Sequence, residues 1–180
     1  MDATAWSGTG HRPATRMDPS GLTELQMQWA REQARHGLHR LREQGPIVIK
    51  SGMALGWDMI LAAAAFDLGI PFEAHIPYVS QPMLWPPAAQ AEWLRLRSVA
   101  AREVVYGENP GDRWTAVKLL HARNDGLLKA DRLLALWDAR KRKGGTWSAV
   151  EKAQRLGLAG VHLDPATRSV RRVGPGGWFT

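Results

Sequence analysis

Short apolar runs alternate with longer helix-forming segments along the whole sequence, and this alternation restricts the fold more than any other feature. The apolar runs predict strands at 5–9, 47–51, 72–76, 103–106, 133–137 and 161–163. After the first, the runs are almost continuous in Ile, Val, Leu and Phe, which is typical of parallel strands covered on both faces.

The segments between the strands have helical periodicity. They predict helices at 20–44, 57–68, 88–101, 115–130 and 148–156. Strands that alternate with helices form βαβ units, which require a parallel sheet with right-handed crossovers. The predicted fold class is therefore α/β, with a doubly wound, mostly parallel sheet flanked by helices.

The length of 180 residues corresponds to one domain. We assign it to residues 1–164 and expect residues 165–180 to form a basic, flexible C-terminal tail, unless its two aromatic residues dock. The absence of cysteine excludes disulfides, thiolate metal sites and thiol catalysis. No apolar run reaches the roughly 18 residues of a membrane span and no secretory signal begins the chain, so we expect no membrane contact and a cytoplasmic location.

The positive charge is concentrated near the C-terminus. Residues 1–138 contain 15 basic and 15 acidic side chains, whereas residues 139–180 contain nine basic and two acidic ones, which accounts for the net charge of +7. This asymmetry indicates an anionic partner, either a nucleotide or a nucleic acid, although a solubilising basic tail would have the same composition.

Glycine-rich loops follow three of the predicted strands. They contain Gly8 and Gly10 after the first strand, Gly52 and Gly56 after the second, and Gly144-Gly145-Thr146 after the fifth. In a doubly wound sheet, ligands bind beyond the carboxyl ends of the strands. The loops therefore predict backbone amides around an anionic ligand.

The loop at 138–148 is the most specific of the three. Its two glycines allow close backbone approach, and four cations at 140–143 precede a helix whose N-terminus is a ready anion site. Thr146 and Ser148 are candidate helix caps, and Ser148 with Glu151 forms the S-x-x-E pattern of a capping box. The loop thus predicts phosphate binding, with an ordinary capped helix as the alternative.

Individual side chains near these loops suggest further contacts. His11 and Arg12 follow the first strand directly, and Arg12 suits bidentate contact with phosphate or carboxylate. Asp58 is either a ligand for a ribose hydroxyl or a favourable acid in the first turn of a helix. Trp85 is a candidate for stacking on a base, or for packing as part of a lid. His36 and His39 lack a third ligand, so we predict no metal site and no cofactor.

The motifs taken together resemble the SLOG superfamily of Rossmann-like proteins, which includes the LOG phosphoribohydrolases, the DprA DNA-processing proteins and the YpsA-like group. The residues that carry the resemblance are G-T-G-H-R, S-G-M-A-L-G-W-D, a Gln and W-P after I-P, A-R-N, L-L-A-L-W-D and G-G-T. They span about residues 6–164 and are most similar to YpsA-like members, many of which occur in bacteria and their phages. The resemblance implies a Rossmann-like fold and a homodimer.

The resemblance also implies a pocket for a nucleotide or an ADP-ribose-like ligand. The positions around it would be Gly10, His11, Arg12, Gly52, Gly56, Asp58, Gln81, Trp85, Arg123, Asn124, Asp138, Gly144, Gly145 and Thr146. The LOG enzymes carry P-G-G-x-G-T-x-x-E, and here Ala149 stands at the position of the glutamate. If the protein is an enzyme, Asp58 or Asp138 would have to act as nucleophile or base.

Three functional hypotheses follow. The first is a domain that binds a nucleotide or ADP-ribose-like signal, as a sensor or a sponge. The second is an enzyme that hydrolyses or transfers at the N-glycosidic bond of a nucleotide. The third is single-stranded nucleic-acid binding by the basic C-terminal part, with Trp147 and Trp178 as stacking residues.

Overall fold

The computed structural model describes residues 2–16 and 18–179. In chain order the elements are β1 (Thr4–Gly10), α1 (Glu24–Glu43), β2 (Ile47–Ser51), α2 (Trp57–Asp67), β3 (Phe72–Ile76), α3 (Pro87–Val99), β4 (Arg102–Val105), α4 (Arg113–Leu127), β5 (Arg132–Leu136), α5 (Gly145–Arg155), β6 (Ala159–Asp164) and β7 (Ser169–Val173). The predicted α/β class is confirmed.

The strands form one seven-stranded sheet in the order β4-β3-β2-β1-β5-β6-β7. Strands β1 to β6 pair in parallel, and only β7 runs antiparallel to its neighbour, β6. The chain winds outward from β1 to β4 and then returns to β5 on the other side of β1. The topological switch point therefore lies between β1 and β5, where doubly wound folds bind their ligands.

Two apolar cores lie on opposite faces of the sheet, and β5 contributes to both. Leu134 and Leu136 pack in the larger core with residues of α1, α2 and α3. Leu133 and Ala135 point the other way, into a smaller core with α5. Because side chains alternate across a strand, the continuous apolar run of β5 indicates burial on both faces.

The segment expected to be a flexible tail has a different structure. Ser169–Val173 form β7, and Trp178 is fully buried in the smaller core, where its indole Nε1–H donates to the carbonyl of Leu158 at 2.7 Å. Arg171 reinforces this packing by donating to the carbonyl oxygens of Gly177 and Trp178. Residues 165–179 thus extend the domain that we ended at 164, because the free edge of β6 and the aromatic docking site supply partners that composition does not reveal.

The helix bounds differ from prediction mainly at the first turns. Helix α1 begins at Glu24 rather than 20, with Thr23 and Gln26 forming a capping box, and α5 begins at Gly145 rather than 148. Within the described residues, no helix combines the length and apolar character that crossing a membrane requires.

Candidate functional site

A cavity of about 820 Å³ opens at the switch point, between the loops that follow β1 and β5. Nine of the fourteen residues predicted around a ligand line it: Gly10, His11, Arg12, Asp58, Arg123, Asn124, Gly144, Gly145 and Thr146. These residues come from four separate stretches of sequence. They meet because the carboxyl ends of parallel strands lie at one edge of the sheet.

Cationic side chains dominate the charge of the cavity. Six line it, namely Arg12, Arg123, Arg140, Lys141, Arg142 and Lys143, against the two carboxylates of Asp18 and Asp58. Asp58 already faces Arg123, with 3.4 Å between its Oδ2 and the Nη1 of the arginine. The balance of charge favours an anionic ligand.

The N-terminus of α5 faces this cavity without a side-chain cap. The N-cap residue is Gly144, with φ +90°, and the first turn of the helix contains no acidic residue. A Cβ added at Gly144 or Gly145 would meet no atom of the protein within 4 Å. The first backbone N–H groups and the positive end of the helix dipole are therefore open to a ligand.

The predicted caps of α5 are wrong. Neither Thr146 nor Ser148 caps the helix, because the helix begins three residues earlier than expected and the N–H of Ser148 already donates to the carbonyl of Gly144 at 3.0 Å. Glu151 accordingly does not belong to a capping box. Ala149, at the position of the LOG glutamate, is buried.

A buried ion pair contributes to the lining of the same cavity. Arg123 of α4 is 5% exposed and Asp58 of α2 is 7% exposed. Nη1 of Arg123 donates to the carbonyl of Gly52 and to Asp58, whereas its Nε has no hydrogen-bond partner among the described residues. Burial raises the pKa of Asp58, and the charge of Arg123 only partly opposes that rise.

Two glycines of the site make room for side chains of the protein. A Cβ at Gly52 would lie 2.6 Å from Oδ2 of Asp58 and would also collide with the guanidinium of Arg123. A Cβ at Gly10 would lie 2.6 Å from Cβ of Trp57. Gly52 does not line the cavity, so its role is to admit the ion pair and not to cradle an anion with its amide.

His11 lines the cavity and is in its neutral form. Its Nε2 accepts a hydrogen bond of 3.0 Å from the backbone N–H of Asp138, so its proton is on Nδ1. Burial, reinforced by the charge of Lys141, lowers the pKa of His11 to about 4. No described residue hydrogen-bonds to Nδ1, which leaves this N–H available to a ligand.

The carboxylate of Asp138 is hydrogen-bonded to Arg140. Its carboxylate accepts two hydrogen bonds of 2.9 Å from the guanidinium, at Nε and Nη2, and a third of 3.0 Å from the backbone N–H. These bonds lower the pKa of Asp138. Asp138 does not line the cavity, and it positions His11 and Arg140 instead.

The remaining predicted site residues also lie off the cavity. Gly56 has φ +100° and is the N-cap residue of α2, where a Cβ would lie 2.7 Å from the carbonyl oxygen of His11. Gln81 and Trp85 belong to the loop after β3. Trp85 packs against the larger core, and both amide atoms of Gln81 are buried without a hydrogen-bond partner among the described residues.

One wall of the cavity comes from a segment that sequence reasoning missed. The connection from β1 to α1 contributes Asp18, Ser20 and Gly21. It folds back on itself, because Ala14 N–H donates to the carbonyl of Leu22 and Leu22 N–H donates to the carbonyl of Arg12, both at 2.8 Å. The Asp18-Pro19-Ser20 turn is the only local signal, and it does not reveal which way the turn points.

No group of three or more His, Cys, Asp or Glu residues in the described part of the chain has a geometry suited to a metal ion. Trp147, expected to stack on bases, contacts Trp137, Phe179 and the guanidinium of Arg142. Trp178 is buried and cannot reach a nucleic acid.

Neither profiles of known protein families nor curated protein sequences match this chain. Among solved structures, DNA processing protein A (DprA) from Streptococcus pneumoniae is similar, with a TM-score of 0.60 and 18% sequence identity over 90% of this chain. The match covers 50% of that protein, so this chain spans half the length of DprA. A structural-genomics target, TM1055, matches with a TM-score of 0.47 and 16% identity, covering 86% of this chain and 71% of the target. The chain therefore has the Rossmann-like fold of the matched half of DNA processing protein A.

Proposed function

We propose that this chain binds a nucleotide or an ADP-ribose-like ligand, with a phosphate group at the N-terminus of α5. The observation that carries the proposal is the uncapped helix end at Gly144 and Gly145, which faces a cavity lined by six cationic side chains. Free backbone N–H groups and the helix dipole make such an end an anion site, and nearby cations strengthen it.

Arg123, which comes from a different helix, supports the same proposal. Arg123 is almost fully buried, yet its Nε has no partner among the described residues, and the residue lines the cavity. The positive charge of Arg123 at the cavity lining would attract the phosphate of a ligand, although Asp58 offsets part of that charge. Nδ1 of His11 and the exposed guanidinium of Arg12 are further donors among the residues that line the cavity.

The size of the cavity fits a ligand larger than a free phosphate ion. Its volume of about 820 Å³ lies within the range of about 300–1,000 Å³ that is typical of pockets for drug-sized ligands. A nucleotide would place its phosphate at α5 and its sugar and base across the cavity. This arrangement suits a sensor or a sponge for a nucleotide signal.

The test is calorimetric titration with AMP, ADP-ribose and inorganic phosphate, on the native chain and on Gly145→Asp. The new carboxylate would stand where the phosphate binds, so affinity should fall on the order of tenfold or more. The fold should survive, because a Cβ at position 145 meets open space and an acid in the first turn stabilises a helix by about 0.3–1 kcal/mol.

Gly111→Asp is the matched control. Gly111 lies directly before the N-cap residue of α4 and, like Gly145, has no atom within 4 Å of an added Cβ, but it does not line the cavity. We expect this variant to bind like the native chain. Equal affinity of native chain and Gly145→Asp, or no binding of any of the three compounds, would overturn the proposal.

Turnover at the N-glycosidic bond is a second candidate, favoured by the raised pKa of Asp58 at the cavity wall. An ionised carboxylate whose pKa is raised is a stronger base than an ordinary one, and it would take the proton of a water molecule that attacks the N-glycosidic bond. Release of free adenine from AMP would support this activity, and its absence in Asp58→Asn, with circular dichroism showing a native fold, would assign the residue. The carboxylate of Asp138 is held by Arg140, so Asp138→Asn should not abolish such an activity.

Binding of single-stranded DNA is the third candidate function, and an oligonucleotide is the fourth ligand of the titration. The exposed Arg142 and Lys143 could contact a phosphate backbone, whereas the burial of Trp178 removes one expected stacking residue. Binding of an oligonucleotide with affinity that falls steeply with salt, and no binding of AMP, would replace the mononucleotide proposal with this one.

A further inference from the structure

Asp18 is a carboxylate on the wall of a cavity whose other charged residues are mostly cations. The second acid of the cavity, Asp58, is buried and paired with Arg123. Asp18, in contrast, is exposed and has no ion pair among the described residues. In this cation-lined site, the carboxylate of Asp18 would repel an anionic group of the ligand. We therefore expect Asp18 to contact an uncharged part of the same ligand.

The carboxylate of Asp18 is held in one orientation. Its Oδ1 accepts hydrogen bonds from the backbone N–H of Ser20 at 3.2 Å and from the hydroxyl of Ser20 at 2.6 Å. Its own backbone N–H donates to Oγ1 of Thr15 at 2.9 Å, and its carbonyl accepts from the N–H of Thr15 at 2.9 Å. These bonds leave Oδ2 without a partner among the described residues. The bonds from Ser20 also lower the pKa of Asp18, which keeps it ionised.

The turn that carries Asp18 is joined to the proposed phosphate site. Nζ of Lys141 donates to the carbonyl of Ser20, and Lys141 lies three residues before Gly144, the N-cap of α5. Asp18 and Gly144 line the same cavity, so one ligand can contact both residues. In a nucleotide, the group next to the phosphate is the sugar, whose hydroxyls donate to carboxylates.

We propose that Asp18 is a specificity-determining residue that accepts hydrogen bonds from the sugar hydroxyls of the ligand and rejects a second phosphate on that sugar. The inference rests on the proposed function, since it needs a nucleotide in this cavity. It predicts that the site binds a ribonucleotide more tightly than the 2′-deoxy form and more tightly than a form phosphorylated at the 3′ hydroxyl. The same carboxylate causes both preferences, by attraction in the first case and repulsion in the second.

The experiment compares AMP, 2′-deoxy-AMP and adenosine 3′,5′-bisphosphate by calorimetric titration. The native chain should bind AMP about tenfold or more tightly than 2′-deoxy-AMP, as a hydrogen bond to a charged group allows. Asp18→Asn should narrow that ratio and should bind the bisphosphate more tightly than the native chain does. A merely structural role for Asp18 would move all three affinities in the same direction.

Asp112→Asn is the control. Asp112 is also exposed and its carboxylate also accepts hydrogen bonds from a backbone N–H and a hydroxyl of a nearby residue, Thr115, but it lies off the cavity. Ser20→Ala removes one of the bonds that orient Asp18, and we expect it to reduce the AMP preference while the carboxylate remains.

The outcomes separate the two proposals. Binding of AMP and 2′-deoxy-AMP with equal affinity by the native chain would overturn the role of Asp18 and leave the nucleotide site intact. An unchanged preference in Asp18→Asn, with circular dichroism showing a native fold, would also overturn it. No binding of any of the three compounds, together with no binding of ADP-ribose, would overturn both proposals.

Discussion

Gly52 and Arg123 are 71 positions apart, yet the guanidinium of Arg123 occupies the space that a side chain at position 52 would need. The missing Cβ lets Arg123 donate to the carbonyl of Gly52 and face Asp58. The ion pair at the cavity wall therefore depends on a glycine in a different loop.

Gly52→Ala should displace Arg123 and weaken both the fold and ligand binding. We expect a loss of about 1–3 kcal/mol in the free energy of unfolding, as for other overpacked sites. Urea denaturation measures this loss. Gly37→Ala is the control, because Gly37 lies within α1 with open space around an added Cβ, and this change should stabilise the protein by up to about 1 kcal/mol. Equal stability of the native chain and Gly52→Ala would contradict the prediction.

Asp58→Asn should leave the buried guanidinium of Arg123 without a counter-charge. Breaking a buried pair in this way costs about 3–5 kcal/mol. The double variant Asp58→Asn with Arg123→Met removes the second charge as well, and it should recover part of that stability. Thermal unfolding of the single and double variants checks this order, and a double variant less stable than Asp58→Asn would refute it.

His11 should make stability depend on pH in the acidic range. Its pKa falls from the ordinary value of 6.5 to about 4 in the folded chain, so the unfolded chain binds more protons between these two values. The contribution is complete above pH 6.5 and is lost as the pH falls toward 4. One pKa unit corresponds to about 1.4 kcal/mol, so His11 contributes up to about 3 kcal/mol.

The measurement for His11 is urea denaturation between pH 4.5 and 7.5. Compared with the native chain, His11→Gln should show a shallower loss of stability on acidification. A residual slope of the same sign will remain, because burial also lowers the pKa values of His75 and His162. Parallel curves for the native chain and the variant would show that His11 does not carry the effect.

Trp178→Ala should destabilise the whole domain. Trp178 is 0% exposed, and replacing a buried tryptophan by alanine costs about 3–5 kcal/mol. Trp114→Ala is the control, since Trp114 is 69% exposed and its removal should change the melting temperature little. A separate, flexible C-terminal tail would predict no difference between the two variants.

Local sequence patterns determined most of the scaffold. The bounds of β2 and β3 agree with prediction at both ends, because each is a short apolar run with turn signals on either side. The order of strands and helices in turn determined that the loops after β1 and β5 would meet at one edge of a parallel sheet. That rule is enough to bring His11 and Gly145 to the same cavity.

The expected homodimer stays a prediction, which light scattering would test.

Only the tertiary structure decided what several of these residues do. Ser169–Val173 contain adjacent arginines and no clear alternation, and they become a strand because β6 offers an unpaired edge. Periodicity reports which face of a segment is apolar, but it carries no information about which distant group fills a gap. For that reason the sequence determined where Gly52 stands in its loop. Only the packing of α4 against that loop decided that the guanidinium of Arg123 fills the space beside this glycine.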